Sequence, residues 1–295
     1  MSKVIVFGEA LFDVIEGNEY LGGAPFNLTC HLKKIGVDVI FVSAVGKDKR
    51  GEKIIEAMKK FNLSRDFISI VEDYPTGIVN VKLIKGHPDF EIVYPSAWDF
   101  IDLEEEKIRK LYNEEVEMFC FGSLALRSEK TKNTFLRLDS ILKNCKKFCD
   151  INFRKPFYNK EIVETLLKTT DILKLNENEL KETSEMFKIK GSYEEMMKGL
   201  IEKFNIEIIC VTLGENGAMM LWMDKFYREE KIKVKVVDTV GAGDAFSAGF
   251  INGYINGLSP EEILKMANKL GAFVASKRGA IPEYNFEDII KSEFF

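Results

Sequence analysis

The sequence is most informative at Val236-Val237-Asp238-Thr239-Val240-Gly241-Ala242-Gly243-Asp244-Ala245-Phe246. We expect a strand over 233–237, then a turn of small residues, and then an apolar-periodic helix over 243–257. A glycine turn that opens a helix leaves backbone N–H groups unpaired at the positive end of the helix dipole, where a phosphate or a developing oxyanion is stabilised. Asp244 would lie beside an anion held there, so it is a candidate general base, with helix capping as its alternative role.

The sequence excludes several other kinds of site. It contains no Gly-x-x-x-x-Gly-Lys-Ser/Thr loop and no Gly-x-Gly-x-x-Gly motif after the first predicted strand, so neither a Walker loop nor a dinucleotide-binding fold is supported. Because His31 and His87 are the two histidines of the chain, a His-rich zinc site is excluded. The five cysteines form no Cys-x-x-Cys pair and are predicted to be reduced structural thiols.

The composition is that of an acidic globular protein. The chain has 295 residues, of which 46% are hydrophobic and 30% charged, and its formal net charge is −5. This balance argues against a generally basic nucleic-acid binder. No apolar run approaches the roughly 18 residues that a membrane helix needs, and the first residues lack the apolar region of a signal peptide. We therefore predict a cytoplasmic protein without nucleic-acid or membrane partners.

Predicted strands and helices alternate along most of the chain. Besides 233–237, strands are expected at 4–7, 39–44, 117–121, 147–151, 171–175 and 207–212. Besides 243–257, helices are expected at 25–35, 51–61, 129–142, 159–169, 177–187, 192–204 and 260–277. This alternation predicts the α/β class, with a mostly parallel sheet covered by helices on both faces.

Two stretches, 12–21 and 76–94, depart from this alternation. Each is typical of antiparallel strands inserted into the βα order, with turn signals at Gly17-Asn18 and at 86–89. They form either edge hairpins or a small β lid over a cleft.

Polar side chains follow several predicted strands, at the sheet edge where ligands of α/β proteins bind. Asn176 and Glu179 lie three residues apart, so they could share one helix face and position a Mg²⁺ through its waters, with a capping pair as the alternative. Asp150 and Asn152 share one strand face, and Arg154 after them could bind a phosphate or a sugar hydroxyl. A surface ion pair at the strand end is the alternative for this second group.

Two glycine-containing segments complete the candidates. In Gly22-Gly23-Ala24-Pro25-Phe26-Asn27 the glycines permit close backbone approach, and Asn27 with Asp13 would form an amide–carboxylate clamp for a sugar. A plain turn and helix cap is the alternative. In Thr212-Leu213-Gly214-Glu215-Asn216-Gly217 the Asn-Gly pair predicts a hairpin turn, and the glycine N–H groups could also face a nucleotide phosphate.

Together these segments resemble the ribokinase-like sugar kinases, the PfkB carbohydrate kinase family. The resemblance rests on Gly22-Gly23 through Asn27, Gly46-Lys47-Asp48 with Gly51, the Asn-x-x-Glu of Asn176 and Glu179, and the signature 238–244 with Gly249. It covers nearly the whole chain, from Phe7 to about Pro282. It implies one kinase domain over 1–295 with a ribokinase-like three-layer α/β/α fold and a β lid inserted at about 12–21 and 76–98. It also implies ATP-dependent phosphoryl transfer to a hydroxyl of a small-molecule sugar.

The resemblance also implies catalytic and substrate-binding residues. For catalysis these are Asp244 as the base, an anion hole formed by the N–H groups of Gly241, Ala242 and Gly243, and Arg154. For the substrate they are Asp13, Gly22, Gly23, Asn27, Asn152 and Trp98. Trp98 would stack on an apolar sugar face, or else pack in the core at the lid hinge.

Nucleotide and metal positions follow in the same way. The resemblance implies Thr212, Gly214 and Gly217 as the nucleotide phosphate loop, with Asn268 and Ala272 on the adenine side. Asn176 and Glu179 match the motif that organises Mg²⁺ and phosphate. Asp238 and the loop 275–280 resemble the site of a monovalent cation such as K⁺.

Within the family, the sequence is most similar to fructokinases. The segments Gly22-Gly23-Ala24-Pro25 and Ala97-Trp98-Asp99 have the fructokinase form, and 150–154 resembles the Asp-x-Asn-x-Arg of fructokinases and 2-keto-3-deoxygluconate kinases. Phe26 and Phe153 are larger than the residues usual there. The resemblance thus implies phosphorylation of D-fructose to fructose 6-phosphate. The alternatives are a 2-keto-3-deoxygluconate kinase, a ribokinase or another sugar kinase, and, more remotely, a non-catalytic sugar-binding regulator.

The resemblance further implies a homodimer through the lid. The apolar residues that would permit it are Ile78, Val79, Val81, Leu83, Ile92 and Val93. The same residues could equally face the sugar or the parent domain.

Overall fold

The computed structural model describes residues 3–84 and 87–292, without the side chains of 81–84 and 87–90. In this part of the chain the strands are β1 (Lys3–Phe7), β2 (Leu11–Ile15), β3 (Asn18–Gly22), β4 (Asp38–Gly46), β5 (Ile68–Val71), β6 (Gly77–Ile84), β7 (His87–Ile92), β8 (Val116–Phe121), β9 (Lys146–Asp150), β10 (Ile172–Asn176), β11 (Ile208–Thr212), β12 (Ala218–Trp222) and β13 (Lys225–Glu229). The helices are α1 (Ala24–Lys34), α2 (Lys49–Lys60), α3 (Glu105–Tyr112), α4 (Glu129–Ile141), α5 (Lys160–Thr169), α6 (Glu177–Met186), α7 (Tyr193–Phe204), α8 (Ala242–Ile255), α9 (Pro260–Ala275) and α10 (Phe286–Lys291).

The large sheet has the strand order β13-β12-β11-β10-β9-β8-β1-β4-β5. Its strands run parallel from β5 to β11, and β12 and β13 add an antiparallel edge. Strand β1 shows why both faces are covered: Val4 and Val6 pack into one apolar cluster, and Ile5 and Phe7 pack into another. Such continuous apolar strands are typical of a parallel sheet that is buried on both sides.

Helices form a layer on each face of this sheet. The first cluster contains buried side chains of α1, α2, α8 and α9, and the second contains those of α3 to α7. The predicted three-layer α/β/α arrangement is therefore confirmed. None of the helices in the described part of the chain is both long and apolar enough to span a membrane.

A second, four-stranded sheet has the order β3-β2-β6-β7. The pairs β2–β3 and β6–β7 are antiparallel as predicted, but β2 and β6 run parallel to each other, because they come from separate insertions rather than from one meander. Of the residues predicted to permit a lid dimer, Val79 and Ile92 are instead buried beside Trp98 and Leu124. The side chains of Val81 and Leu83, and part of the predicted turn at 86–89, lie outside the described residues.

The strand predicted over 233–237 does not form. The Lys–Val alternation there has the period of a strand, but the sheet ends at β13 and offers no partner. Val236 and Val237 are 56% and 48% exposed. Instead, the N–H groups of Val237 and Asp238 donate to the carbonyl oxygen of Ala275 at the end of α9, at 2.9 and 3.2 Å. The segment that leads to the glycine turn is therefore irregular and is held by a helix end.

Candidate active site

Three of the predicted polar residues, Asp150, Asn152 and Asp244, lie on a cavity at the carboxyl ends of β1, β8 and β9. It is lined by Glu9 after β1, Ser123 after β8, Asp150 and Asn152 at the end of β9, and Asp244 in the first turn of α8. Helix α1 closes one side with Ala24, Pro25 and Leu28. The cavity thus lies at the carboxyl edge of the sheet, which is where the sequence predicted a ligand site.

Asp244, which lines this cavity, is hydrogen-bonded to Asn27 of α1. The Asn27 Nδ2 group donates to Asp244 Oδ2 at 2.8 Å, although the two residues are 217 positions apart. Removal from bulk water raises the pKa of Asp244 to about 7, the amide of Asn27 opposes that shift, and the negative charge of Asp150 adds to it. The Oδ1 atom of Asn27 is buried without a hydrogen-bond partner among the described residues. A carboxyl group with a pKa near 7 is suited to abstract a proton from a bound hydroxyl, and the free amide oxygen beside it could accept a hydrogen bond from the same ligand.

The turn before α8 has the conformation that the glycines predict. Gly241 precedes the helix with a φ of 78°, and a Cβ at this position would lie 2.6 Å from Ala280 Cα. Both the backbone conformation and the close contact therefore require a glycine here. Of the three predicted anion-hole donors, the Ala242 N–H donates to Thr239 O at 3.3 Å, whereas no described residue accepts a bond from the N–H of Gly241 or Gly243. The start of α8 is therefore suited to hold an anion beside Asp244.

A buried ion pair lies beneath this turn and was not predicted. Lys174 Nζ is 2.7 Å from Asp150 Oδ2, and Ser247 Oγ donates to the same oxygen at 3.0 Å. Burial alone would lower the pKa of Lys174, but the nearby carboxylates of Asp150 and Glu179 outweigh it and raise the pKa. The ammonium group would lie 3.2 Å from a Cβ at Gly243, so its positive charge adds to that of the helix start. The sequence feature that could have indicated this pair is the single lysine within the otherwise apolar strand β10. The ion pair of Asp150, considered above as a surface pair, is largely shielded from solvent.

Asn176 and Glu179 form the capping pair that their spacing allows. Asn176 Oδ1 accepts from the Glu179 N–H at 2.9 Å, and Glu179 accepts from the N–H groups of Asn176 at 2.7 Å and Phe153 at 3.0 Å. Glu179 thereby ties the turn that carries Asn152 and Arg154 to the start of α6. In the described residues no group of three or more His, Cys, Asp or Glu could hold a metal directly. Mg²⁺ is commonly held through its waters by one or two carboxylates, a role for which Glu179 would supply the carboxylate.

The sugar-side candidates Gly22 and Gly23 come directly before Ala24, which lines the same cavity. Gly22 lies opposite Leu11 in the β2–β3 pair, and a Cβ on it would come within 2.7 Å of Asp13 Oδ2. Gly23 opens α1 with a φ of 103°, and a Cβ there would lie 2.7 Å from the Glu9 carbonyl oxygen.

Burial raises the pKa of Asp13, and the charge of Arg154 opposes the shift. Arg154 itself is exposed, and its Nη1 donates to Phe153 O at 3.1 Å.

Glu9 is a cavity residue that sequence reasoning missed. Its side chain is buried, and burial raises its pKa to about 7, with Arg154 and Arg127 opposing the shift. Its place directly after β1, at the carboxyl edge of the sheet, is the sequence feature from which a role in the site could have been predicted. Glu9 gives the cavity a second carboxyl group that titrates near neutrality.

The prediction that Trp98 stacks on the sugar is wrong, and its alternative role in the core holds. Trp98 is fully buried with Leu11, Val79, Ile92 and Leu124. The Arg127 guanidinium lies 3.7 Å from the centre of its ring and forms a buried ion pair with Asp99. Because protein atoms cover the indole completely, it offers no surface to a sugar.

The predicted nucleotide residues lie at the antiparallel edge of the large sheet. Thr212 ends β11, and Gly214 and Gly217 belong to the turn between β11 and β12, where they have φ values of 58° and 85°. Asn268 and Ala272 lie on α9, and Asn268 Nδ2 donates to Glu230 O at 2.9 Å, just after β13. Asp238 accepts from the N–H groups of Val240 and Gly279, both at 3.0 Å, and so joins the glycine turn to the segment after α9.

The family comparison covers nearly the entire chain. A family model described as pfkB family carbohydrate kinase matches residues 1–285. An ATP-dependent 6-phosphofructokinase of Thermoanaerobacterium thermosaccharolyticum is 27% identical, over 99% of this chain and 93% of its own. The probable fructokinase-6, chloroplastic, of Arabidopsis thaliana is 28% identical, over 95% of this chain and 79% of its own.

Comparison with solved structures shows the fold of the chain. The crystal structure of a fructokinase with bound ATP from Xylella fastidiosa superposes with a TM-score of 0.86, covering 98% of each chain at 19% identity. This likeness shows the ribokinase-like α/β fold.

Proposed function

The chain belongs to the pfkB family of carbohydrate kinases, and from that premise we propose that it transfers the γ-phosphoryl group of ATP to a hydroxyl of D-fructose, giving fructose 6-phosphate. The observation that carries the proposal is the pairing of Asp244 with Asn27 at the start of α8. A base, a polar clamp and a helix N-terminus then surround one point in the cavity. Phosphoryl transfer needs these groups, because its catalysis consists mainly of positioning and charge stabilisation.

Each described group has a part in this reaction. Asn27 and Asp13 hold the sugar, and Asp244 accepts the proton of the attacking hydroxyl. The helix start and Lys174 stabilise the charge of the transferring group. Mg²⁺, held through waters near Asn176 and Glu179, would neutralise the ATP phosphates. The small sheet would cover the sugar and exclude water.

Charge in the cavity favours a neutral sugar. Three described carboxyl groups line it, namely Glu9, Asp150 and Asp244, and the charge of Arg154 acts on Asp13 as it does on Glu9 and Asp244. Of the three cations that act on these carboxyl groups, Lys174 is paired with Asp150 and Arg127 with Asp99, which leaves Arg154 without a carboxylate partner among the described residues. A dianionic substrate would meet more negative than positive charge there.

Fructose 6-phosphate is a second candidate substrate. The observation in its favour is the similarity to an ATP-dependent 6-phosphofructokinase, together with Arg154, whose charge acts on Glu9, Asp13 and Asp244 and which could pair with a phosphate. The monovalent-cation role of Asp238 and a dimer through the lid remain predictions.

The test is ADP release with Mg-ATP and a panel of acceptors. The panel contains fructose, fructose 6-phosphate, ribose, glucose, mannose, 2-keto-3-deoxygluconate and no sugar. Selective turnover of fructose supports the proposal. Selective turnover of fructose 6-phosphate or of another acceptor keeps the family chemistry and overturns the choice of fructose. A chain that binds sugar but releases no ADP with any acceptor would be the sugar-binding regulator instead.

We expect activity to fall as the pH decreases through about 7. Because the pKa of Asp244 is raised to about 7, its carboxylate form, which is the base, is lost below that pH. The value of kcat/KM for the sugar should then fall about tenfold per pH unit below 7. Since Glu9 also titrates at about 7, the profile is measured for Glu9→Gln as well, where the Asp244 limb should persist. A flat profile between about pH 5.5 and 8 in both proteins would contradict a base with this pKa.

A further inference from the structure

One face of α1 contacts both the catalytic aspartate and the segment after α9. Asn27, His31 and Lys34 are spaced by one helix turn along this face. Asn27 donates to Asp244, and Lys34 Nζ donates to Pro282 O at 2.7 Å. His31 lies between these two contacts, in the interior of the protein.

Both ring nitrogens of the fully buried His31 are hydrogen-bonded. Nε2 is 2.9 Å from the carbonyl oxygen of Ala280, and Nδ1 is 2.8 Å from the hydroxyl of Tyr284. Because a carbonyl oxygen can only accept, Nε2 carries the proton. Burial lowers the pKa of His31 to about 4, so the ring is neutral and Nδ1 accepts from the Tyr284 hydroxyl. Tyr284 also stacks on the ring, with centroids 5.8 Å apart, which leaves the imidazole one tautomer and one orientation.

The carbonyl group held by His31 belongs to the segment that frames the start of α8. Ala280 packs against Gly241, where a Cβ would lie 2.6 Å from Ala280 Cα. The neighbouring Gly279 N–H donates to Asp238 at 3.0 Å, on the other side of the same turn. A displacement of Ala280 would therefore be transmitted to the turn that precedes Asp244.

We propose that His31 is a positioning residue for phosphoryl transfer. Its Nε2–H fixes the Ala280 carbonyl group and so keeps the turn before α8 aligned with the helix that carries Asn27. One rigid helix then holds the sugar-side amide, the base and the anion-binding turn in a fixed relation. This inference rests on the proposed kinase function, and His31 itself touches neither the sugar nor the phosphoryl group.

Three substitutions separate positioning from packing. His31→Leu removes both ring nitrogens, His31→Gln retains an N–H at about the reach of Nε2, and Tyr284→Phe removes only the hydroxyl that donates to Nδ1. We expect His31→Leu to lower kcat about 10- to 100-fold, with the KM values for sugar and ATP little changed, because a misplacement of about 1 Å has effects of that size. His31→Gln should recover most of kcat, and Tyr284→Phe should show a smaller loss than His31→Leu.

A spectroscopic measurement tests the hydrogen bonds directly. Since the chain has two histidines, His87→Asn leaves His31 as the single signal in ¹⁵N-histidine-labelled protein. We expect the Nε2–H tautomer in that background, and once Tyr284→Phe is added we expect the Nδ1 resonance to shift, because Nδ1 loses its hydrogen-bond donor.

The outcomes are distinct. If His31→Leu keeps the kcat of the unmodified chain and only its melting temperature falls, His31 merely packs and the inference is overturned. If His31→Leu does not fold, Tyr284→Phe decides: a lowered kcat with a shifted Nε2–H resonance supports the inference, and an unchanged kcat overturns it. Absence of turnover in the unmodified chain would overturn the proposed function and this inference together, whereas normal turnover with an unaffected variant overturns this inference alone.

Discussion

Replacing Asp244 with asparagine is expected to lower kcat by about 10²–10⁴-fold, the range typical of a positioned general base. Asparagine keeps the shape of the side chain and can still bond Asn27, but it cannot accept the proton of the sugar hydroxyl. The KM values for ATP and for the sugar should change much less than kcat, because the clamp residues and the start of α8 are intact. Steady-state ADP release across both substrate concentrations measures the two effects separately.

Asp224→Asn is the matched control for this substitution. Asp224 is exposed in the turn between β12 and β13 with a φ of 59°, a conformation that asparagine tolerates. The chemical change is the same, and kcat should stay at the level of the unmodified chain. A value of kcat for Asp244→Asn close to that of the control would mean that another group, Glu9 being the obvious one, accepts the proton.

Gly241→Ala is expected to have the second largest effect, lowering kcat about 10²–10³-fold, as the loss of an anion-hole donor does. The added methyl group would lie 2.6 Å from Ala280 Cα, at a residue with a φ of 78°. The backbone must shift to relieve this contact, and the N–H groups of 241 and 243 turn away from the phosphoryl position. Single-turnover kinetics at saturating Mg-ATP and sugar would measure the chemical step itself.

Gly257→Ala controls for the cost of the left-handed backbone alone. Gly257 follows α8 with a φ of 67°, and a Cβ there would meet no described atom within 4 Å. Both variants should lose about 1–2 kcal/mol of unfolding free energy from the conformation, and only Gly241→Ala should lose activity. An equal loss of kcat in both variants would attribute the effect to general destabilisation.

Most of the large sheet and its helices could be predicted, because each has a local signal. The apolar runs of β1, β8 and β11 and the periodic helices α4 and α7 need no knowledge of distant residues. Local capping was predictable for the same reason: Asp48 accepts from the Gly51 N–H at 2.8 Å, as its place before α2 indicates. The hairpin turn at 213–217 likewise joins antiparallel strands, as Asn216-Gly217 indicates.

What could not be predicted depends on partners that are far away in the sequence. Residues 233–237 have a strand pattern but meet a helix end instead of a strand, and no local feature records this. Trp98 is covered by Arg127, and Lys174 is paired with Asp150, in both cases by a residue from another element. Glu9 becomes a cavity residue only because α1 and α8 pack across the end of β1.

The bond between Asn27 and Asp244 also bears on biosynthesis. Its partners are 217 residues apart, and α1, near one end of the chain, packs directly on α8, near the other. Because a chain emerges from the ribosome with its N-terminus first, Asn27 emerges long before Asp244. We therefore expect phosphoryl transfer to be acquired only after α8 has been synthesised, because a nascent chain that ends before α8 carries Asn27 without Asp244.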